Sequence, residues 1–203
     1  MAVSRRLGGP GLASGFTMIE LMVVVIVLAV LLTVAVPSFE AVMNANRLAG
    51  ASNELMASLQ TARMEAVKRN ARVGICLSAN ANNSAPACAT SNANGWIVFA
   101  DTNKNDAFDA GEALLRTSTV SPSVVVTSSA TPTAAGGAIV FRSDGLARKS
   151  KSSSELLYGT VDVCIKTRRP PENVRHVIVA AGSRTSIVSA NASAACSAPA
   201  DKP

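Results

Sequence analysis

From Leu21 to Leu32 the chain offers only Val, Ile, Leu, Met and Ala, and no charged residue interrupts it before Glu40. A helix needs about 20 apolar residues to cross a bilayer, so residues 16–39 are expected to form a membrane-spanning half of a long helix. Beyond them Leu48, Ser52, Leu55, Leu59, Ala62 and Ala66 recur at steps of four and three. That is the stripe of an amphipathic helix laid on a core, and it marks residues 40–72 as the second half. Arg63, Glu65, Lys68 and Arg69 fall on other faces, with Glu65 and Arg69 spaced for an i,i+4 pair. Pro37 interrupts the helix, removing one hydrogen bond and crowding the preceding turn, so a kink or loosening is expected there. At Val73 the period changes to two: Val73, Ile75 and Leu77 alternate with Gly74, Cys76 and Ser78, the pattern of a strand. Further strands are expected at 95–101, 112–116, 124–127, 138–141, 159–167, 174–181 and 185–188. Residues 120–137 are the least defined, and 193–203 should fray except where Cys196 pins them. One long helix of about 16–70 followed by strands predicts an α+β domain, the helix packed on an antiparallel sheet.

With 203 residues there is room for one ordinary domain, 73–203, plus the helix. Aromatic residues make up 3%, which favours a sheet of small and β-branched side chains over a large aromatic core. Arg5 and Arg6 precede the apolar run and no basic residue follows it until Arg47. The positive-inside rule therefore keeps the start cytoplasmic and exports the bulk. The net charge is +6; without Arg5 and Arg6, 17 basic residues against 13 acidic ones leave +4. All four cysteines lie in the exported part, where disulfides persist. Of three possible pairings, the spacing favours Cys76 with Cys88 and Cys164 with Cys196. No C-x-x-C spacing occurs and His176 is distant from three of the cysteines, which argues against zinc.

The loop Asp101–Glu112 bears comparison with a calcium loop. Asp101, Asn103, Asn105, Asp109 and Glu112 occupy positions 1, 3, 5, 9 and 12 of an EF-hand. Asp106 stands where the turn wants Gly, and strands flank the loop instead of helices. An Asn/Asp-rich hairpin connection without metal is the preferred reading. No nucleophile is accompanied by a base and an orienting acid; His176 sits in an apolar strand pattern beside Arg175 and has a structural or solvated role. The chain reads as a non-enzyme without a cofactor. Arg142, Arg148, Lys149 and Lys151 cluster at one turn, and Lys166, Arg168, Arg169 and Arg175 bracket Pro170-Pro171. Such clusters suit phosphates or simply keep a surface soluble.

An acid at the threshold of the apolar run is unusual, because a carboxylate inside a membrane costs about 2.5–3.5 kcal/mol. A secretory signal has a core of about 7–15 residues with its cleavage site after the core, and a plain anchor leaves Glu20 unexplained. Gly15-Phe16-Thr17-Met18-Ile19-Glu20 resembles the prepilin signature of type IV pilins and type II secretion pseudopilins, with Met18 where Leu is more usual. The resemblance implies a leader, residues 1–15, cut by prepilin peptidase between Gly15 and Phe16, and N-methylation of Phe16. Glu20 then neutralises the terminal amine of a neighbouring subunit as the subunit leaves the bilayer for the filament, because opposite charges attract far more strongly in a low-dielectric setting; the inner-membrane assembly platform is an implied partner. Pilins of this kind carry a proline matching Pro37.

The run Ala62 to Asn70 followed by Val73-Gly74-Ile75-Cys76, with the strands at 95–101 and 112–116, is similar to the GspH/FimT branch of these proteins. That implies a type IV pilin-like fold and a single-pass inner-membrane protein with a periplasmic C-terminal domain, later built into a pilus or a periplasmic pseudopilus. The implied function is a FimU-like minor pilin that helps prime assembly, its partners being other minor pilins and the major pilin. A GspH-like pseudopilin of type II secretion is one alternative. The other is a FimT-like DNA-binding pilin, whose Gly-Arg-any-Arg motif is matched here by Ser183-Arg184-Thr185-Ser186 in Arg184 alone. Arg184, Arg168, Arg169 and Arg175 are the candidate DNA contacts.

Overall fold

The structure is a computed structural model that describes residues 15–134 and 137–201; residues 1–14, which hold most of the expected leader, lie outside the described residues. Helix α1 (Met18–Arg69) is assigned continuously through Pro37. The chain divides into two compact units, one ending at Phe39 and one beginning at Glu40. In the first unit the large apolar side chains between Leu21 and Leu32 are each at least 50% exposed.

Among the described residues the second unit contains the rest of α1 and eight strands. These are β1 (Arg72–Ser78), β2 (Gly95–Asp101), β3 (Leu114–Thr119), β4 (Val124–Ser128), β5 (Ala138–Phe141), β6 (Gly159–Ile165), β7 (Val174–Ala180) and β8 (Arg184–Ala190). A short helix α2 (Ala130–Ala134), not anticipated from the sequence, precedes β5. The strands form two antiparallel four-stranded sheets, ordered β3-β2-β1-β5 and β4-β6-β7-β8. The α+β expectation is met, with two sheets in place of one. The break falls between β3 and β4: β4 pairs with β6 in sequence-distant register, so it joins the second sheet. Strand β3 begins at Leu114 and not at residue 112, because the Glu112 carboxylate is used inside the preceding loop.

The helical stripe read from the sequence is the core seam. Leu48, Ser52, Leu55, Leu59, Ala62 and Ala66 are all at most 2% exposed, and the five apolar ones share one cluster with Val73, Ile75, Leu77, Trp96, Val98, Val161, Val163 and Val177. Each buried leucine contributes about 1.5–3 kcal/mol of transfer free energy. Trp96 supplies the largest side chain, and its indole Nε1 donates to Ser58 Oγ at 2.9 Å, so helix and sheet are tied by a satisfied buried polar contact. The opposite face of the first sheet is covered too. Ile97, Phe99, Ala138 and Val140 pack there with Phe108 and the Cys76–Cys88 bridge. Both faces of β1 and β2 are therefore buried, and the structure gives them no polar side.

Close backbone approach makes one glycine indispensable. A Cβ on Gly95 would lie 2.0 Å from the Ser118 carbonyl oxygen of β3, where only backbone could give way. Gly95→Ala is expected to destabilise by about 3 kcal/mol, the upper end of ordinary overpacking. Gly50→Ala, in an open part of α1, should instead stabilise by about 0.5–1 kcal/mol. Denaturant midpoints of the detergent-solubilised chain should move in opposite directions for the two.

Charge also ties α1 to the first sheet. Arg116 Nη2 and Ser118 Oγ donate to Glu54 Oε1 at 2.7 and 2.8 Å. Burial alone would raise the Glu54 pKa; the hydrogen bonds from Ser118 and Arg116, with the guanidinium charge, outweigh it and hold the carboxyl below the ordinary range. A depressed folded-state pKa stabilises fully above the unfolded value of about 4.3 and is lost as pH falls through the folded value. The gap in melting temperature between wild type and Glu54→Gln should thus be present at neutral pH and close on acidification below about pH 4.

Candidate functional site

The amino-terminal end of α1 is built by a cap. Gly15, Phe16 and Thr17 are non-helical, and Thr17 Oγ1 accepts from the Glu20 amide at 3.2 Å while its carbonyl accepts from the Leu21 amide at 3.1 Å. Thr17 is thus the N-cap and Glu20 the third helical residue, the Thr-x-x-Glu spacing of a capping box. An acid in the first turn is also favoured by the helix dipole. In the sequence this Thr-x-x-Glu spacing is the signal that marks Thr17. Phe16 is 82% exposed, and a Cβ on Gly15 would meet nothing within 4 Å. The fold makes no steric demand for glycine at that position.

The candidate DNA-contacting arginines do not converge. Arg168 and Arg169 lie in the connection from β6 to β7 and are exposed, and Arg175 sits at the start of β7 with its guanidinium on the Glu172 and Val174 carbonyls. Arg184 opens β8, opposite Ala180 at the far end of β7. Six residue steps of strand separate that end from Val174, about 20 Å. The turn before it explains the departure from the Gly-Arg-any-Arg pattern. Ser183 has φ of +59°, the left-handed region that favours glycine. The serine holds it because its Oγ accepts from the Ala147 amide at 2.8 Å and its carbonyl accepts from Arg63 at 3.1 Å. Ser186 is exposed, two residues beyond Arg184.

The other basic cluster is structural. Arg142 donates to the Ser150, Lys151 and Ser153 carbonyls, Arg148 pairs with Asp144 at 2.8 Å, and Lys149 pairs with Glu155 at 2.8 Å. These contacts hold the segment 142–156 to itself. His176 Nδ1 and Asp162 Oδ1 share a hydrogen bond of 2.5 Å across β6 and β7, where the two residues are register partners.

In the loop after β2, Asp109 Oδ2 accepts from the Asn103 and Asn105 amides at 2.8 and 2.6 Å. Glu112 accepts from the Thr102 and Asp109 backbone N–H groups at 2.8 and 3.1 Å. Asp101 accepts from the Asn105 and Asp106 N–H groups, and burial still pushes its carboxyl above the ordinary range. Asp106 takes φ of +68° where an EF-hand has Gly, and pairs with Arg72 at 3.0 Å. The carboxylates are thus engaged in holding the loop's own backbone. Among the described residues no group of three or more His, Cys, Asp or Glu is placed to hold a metal. The disulfides join Cys76 to Cys88 and Cys164 to Cys196, the pairing that the spacing favours.

Residues 51–183 match the family described as type II transport protein GspH. The pilin-like protein PilA1 of Thermus thermophilus is 36% identical over 100 residues, which cover 48% of this chain and 54% of that protein. The chain thus spans about half the length of that curated relative. Two crystal structures of the type IV minor pilin FimU of Pseudomonas aeruginosa are similar at 17% identity, with TM-scores of 0.45 and 0.46. Each alignment covers 70% of this chain, and 92% and 89% of those chains. The chain belongs to the GspH/FimT family of type IV pilin-like proteins, which are structural subunits and not enzymes, and it joins one N-terminal apolar helix to a folded C-terminal domain.

Proposed function

We propose that the chain is a FimU-like minor pilin that helps to prime assembly of a type IV pilus. Prepilin peptidase would release it between Gly15 and Phe16, the Phe16 amine would be methylated, and Glu20 would guide docking at the inner-membrane platform. Its partners would be other minor pilins and the major pilin. The observation that carries this reading is the pairing of an exposed apolar first half of α1 with an acid in its capped first turn. An exposed surface of this size requires a lipid or protein cover, and the acid gives that cover a fixed register. Mass spectrometry of the mature chain tests the processing: an N-methylated Phe16 terminus is expected, and any other terminus overturns it. A deletion strain tests the address, with loss of pili expected.

The matched family description favours a second reading, a pseudopilin of type II secretion. It predicts intact pili and failed enzyme export in the same strain. The DNA-binding alternative retains only Arg184 of its motif, and an electrophoretic mobility shift that survives Arg184→Ala would remove it.

A further inference from the structure

Asn44 anchors the connection that carries Lys166, Arg168 and Arg169, and Arg47 follows it by one turn of α1. Asn44 is 7% exposed; its Nδ2 donates to the Arg169 carbonyl at 3.0 Å and its Oδ1 accepts from the Arg47 guanidinium at 3.4 Å. The far end of the same connection is fastened by Asn173, fully buried, whose side chain donates to the Ile165 carbonyl at 3.0 Å and accepts from the Ala192 amide at 2.9 Å. The connection is therefore fastened to α1 at Arg169, and to β6 and the chain after β8 at Asn173. All four cationic side chains are exposed. Among the described residues none of them has an acidic partner at salt-bridge distance, and Glu172, the acid of the segment, faces Arg175 at 4.0 Å. Arg168 also lines a cleft with Pro171, Asn191 and Ser193. Beside Asn44 on α1, Val42 and Met43 are 54% and 39% exposed.

The place of this cluster in the chain sets its occupant. Asn44 follows Phe39, the end of the uncharged run, by five residues. Five residues rise about 7.5 Å as helix and reach about 17 Å at full extension. The headgroup layer on each side of a bilayer is about 5–8 Å deep. We propose that Arg47, Lys166, Arg168 and Arg169 form a collar that binds the anionic headgroups of the bilayer in which α1 is anchored. Each such cation gains roughly fivefold in affinity from a negative membrane surface, and Val42 and Met43 add apolar contact at the acyl boundary. A nucleic acid at this place would lie against lipid phosphates of its own sign. The collar rests on the membrane anchor and goes beyond the assembly role.

Hydrogen exchange of the full-length chain in lipid nanodiscs tests the collar. In discs containing phosphatidylglycerol, amides of residues 166–172 should exchange several-fold more slowly than in discs of phosphatidylcholine alone. The triple variant Lys166→Ser, Arg168→Ser, Arg169→Ser should lose that difference; it keeps the Asn44 contact, which uses backbone. Arg184→Ser, a charge removed at the other end of the β7–β8 hairpin, should retain it. Equal exchange in both discs overturns the collar, as does slowing produced in phosphatidylcholine discs by glycerol phosphate or by duplex DNA. Co-elution of chain and disc reports the anchor separately: an inserted chain with equal exchange overturns the collar alone, and a chain that leaves the disc overturns the anchor as well.

Discussion

Glu20→Ala is expected to leave the chain in the membrane and remove it from filaments. The cap at the start of α1 uses the Glu20 backbone N–H and the Thr17 hydroxyl, neither of which the substitution touches. Alanine is also the best helix former, so the first turn should survive. Deleting an acid from the edge of the apolar run relieves part of an insertion cost of about 2.5–3.5 kcal/mol, and the membrane level should stay the same or rise. Filament incorporation should fall, because a charge pair at about 4 Å in a partly screened site is worth about 4 kcal/mol. Even a third of that lowers incorporation about tenfold. Immunoblots of sheared filaments against washed membranes give both numbers from one culture. Normal incorporation of the variant would sink the docking role, and loss from both fractions would show that the acid serves folding or insertion instead.

The second large effect is expected from the Cys164–Cys196 bridge. It closes a separation of 32 residues against 12 for Cys76–Cys88. In the chain-entropy account these are worth about 4 and about 3 kcal/mol. Cys164 is 1% exposed on β6, between β4 and β7. The tail it holds is also fastened by polar contacts, among them Asn173 with the Ala192 amide and the Asp201 carboxylate with the Thr131 N–H and hydroxyl. Cys164→Ser with Cys196→Ser should lower the melting temperature of the detergent-solubilised chain by about 8–16 °C at this size. Replacing the shorter bridge should cost less. The reverse order would mean that the tail is held by its polar contacts and not by the bridge.

Periodicity made the helix legible, since a stripe at steps of four and three has one meaning over twenty residues. All six stripe positions are buried, and the i,i+4 pair of Glu65 and Arg69 closes at 2.6 Å. Strand positions were legible for the same reason, and the bounds at 138–141 match those observed. What pattern did not carry was partnership. Nothing local in Val124-Val125-Val126 says that it pairs with β6 across more than thirty residues, so the division into two sheets was hidden. Nor does a run of basic residues say which are engaged. Arg142 and Arg148 are held by carbonyls and Asp144 that only the folded loop brings near, whereas Arg168 and Arg169 stand exposed. The Thr17 cap is legible in its spacing to Glu20; the Asn44 contact is not, because its partner lies 125 residues away.

The turn at Ser183 limits how this hairpin can be re-engineered. Restoring glycine there would relax a left-handed serine but orphan the buried Ala147 amide, so the exchange brings little net gain. Ser186 carries no such obligation. A single Ser186→Arg graft would set a second guanidinium on the same side of β8 as Arg184, turning a solitary cation into a two-pronged grip without disturbing the loop that presents it.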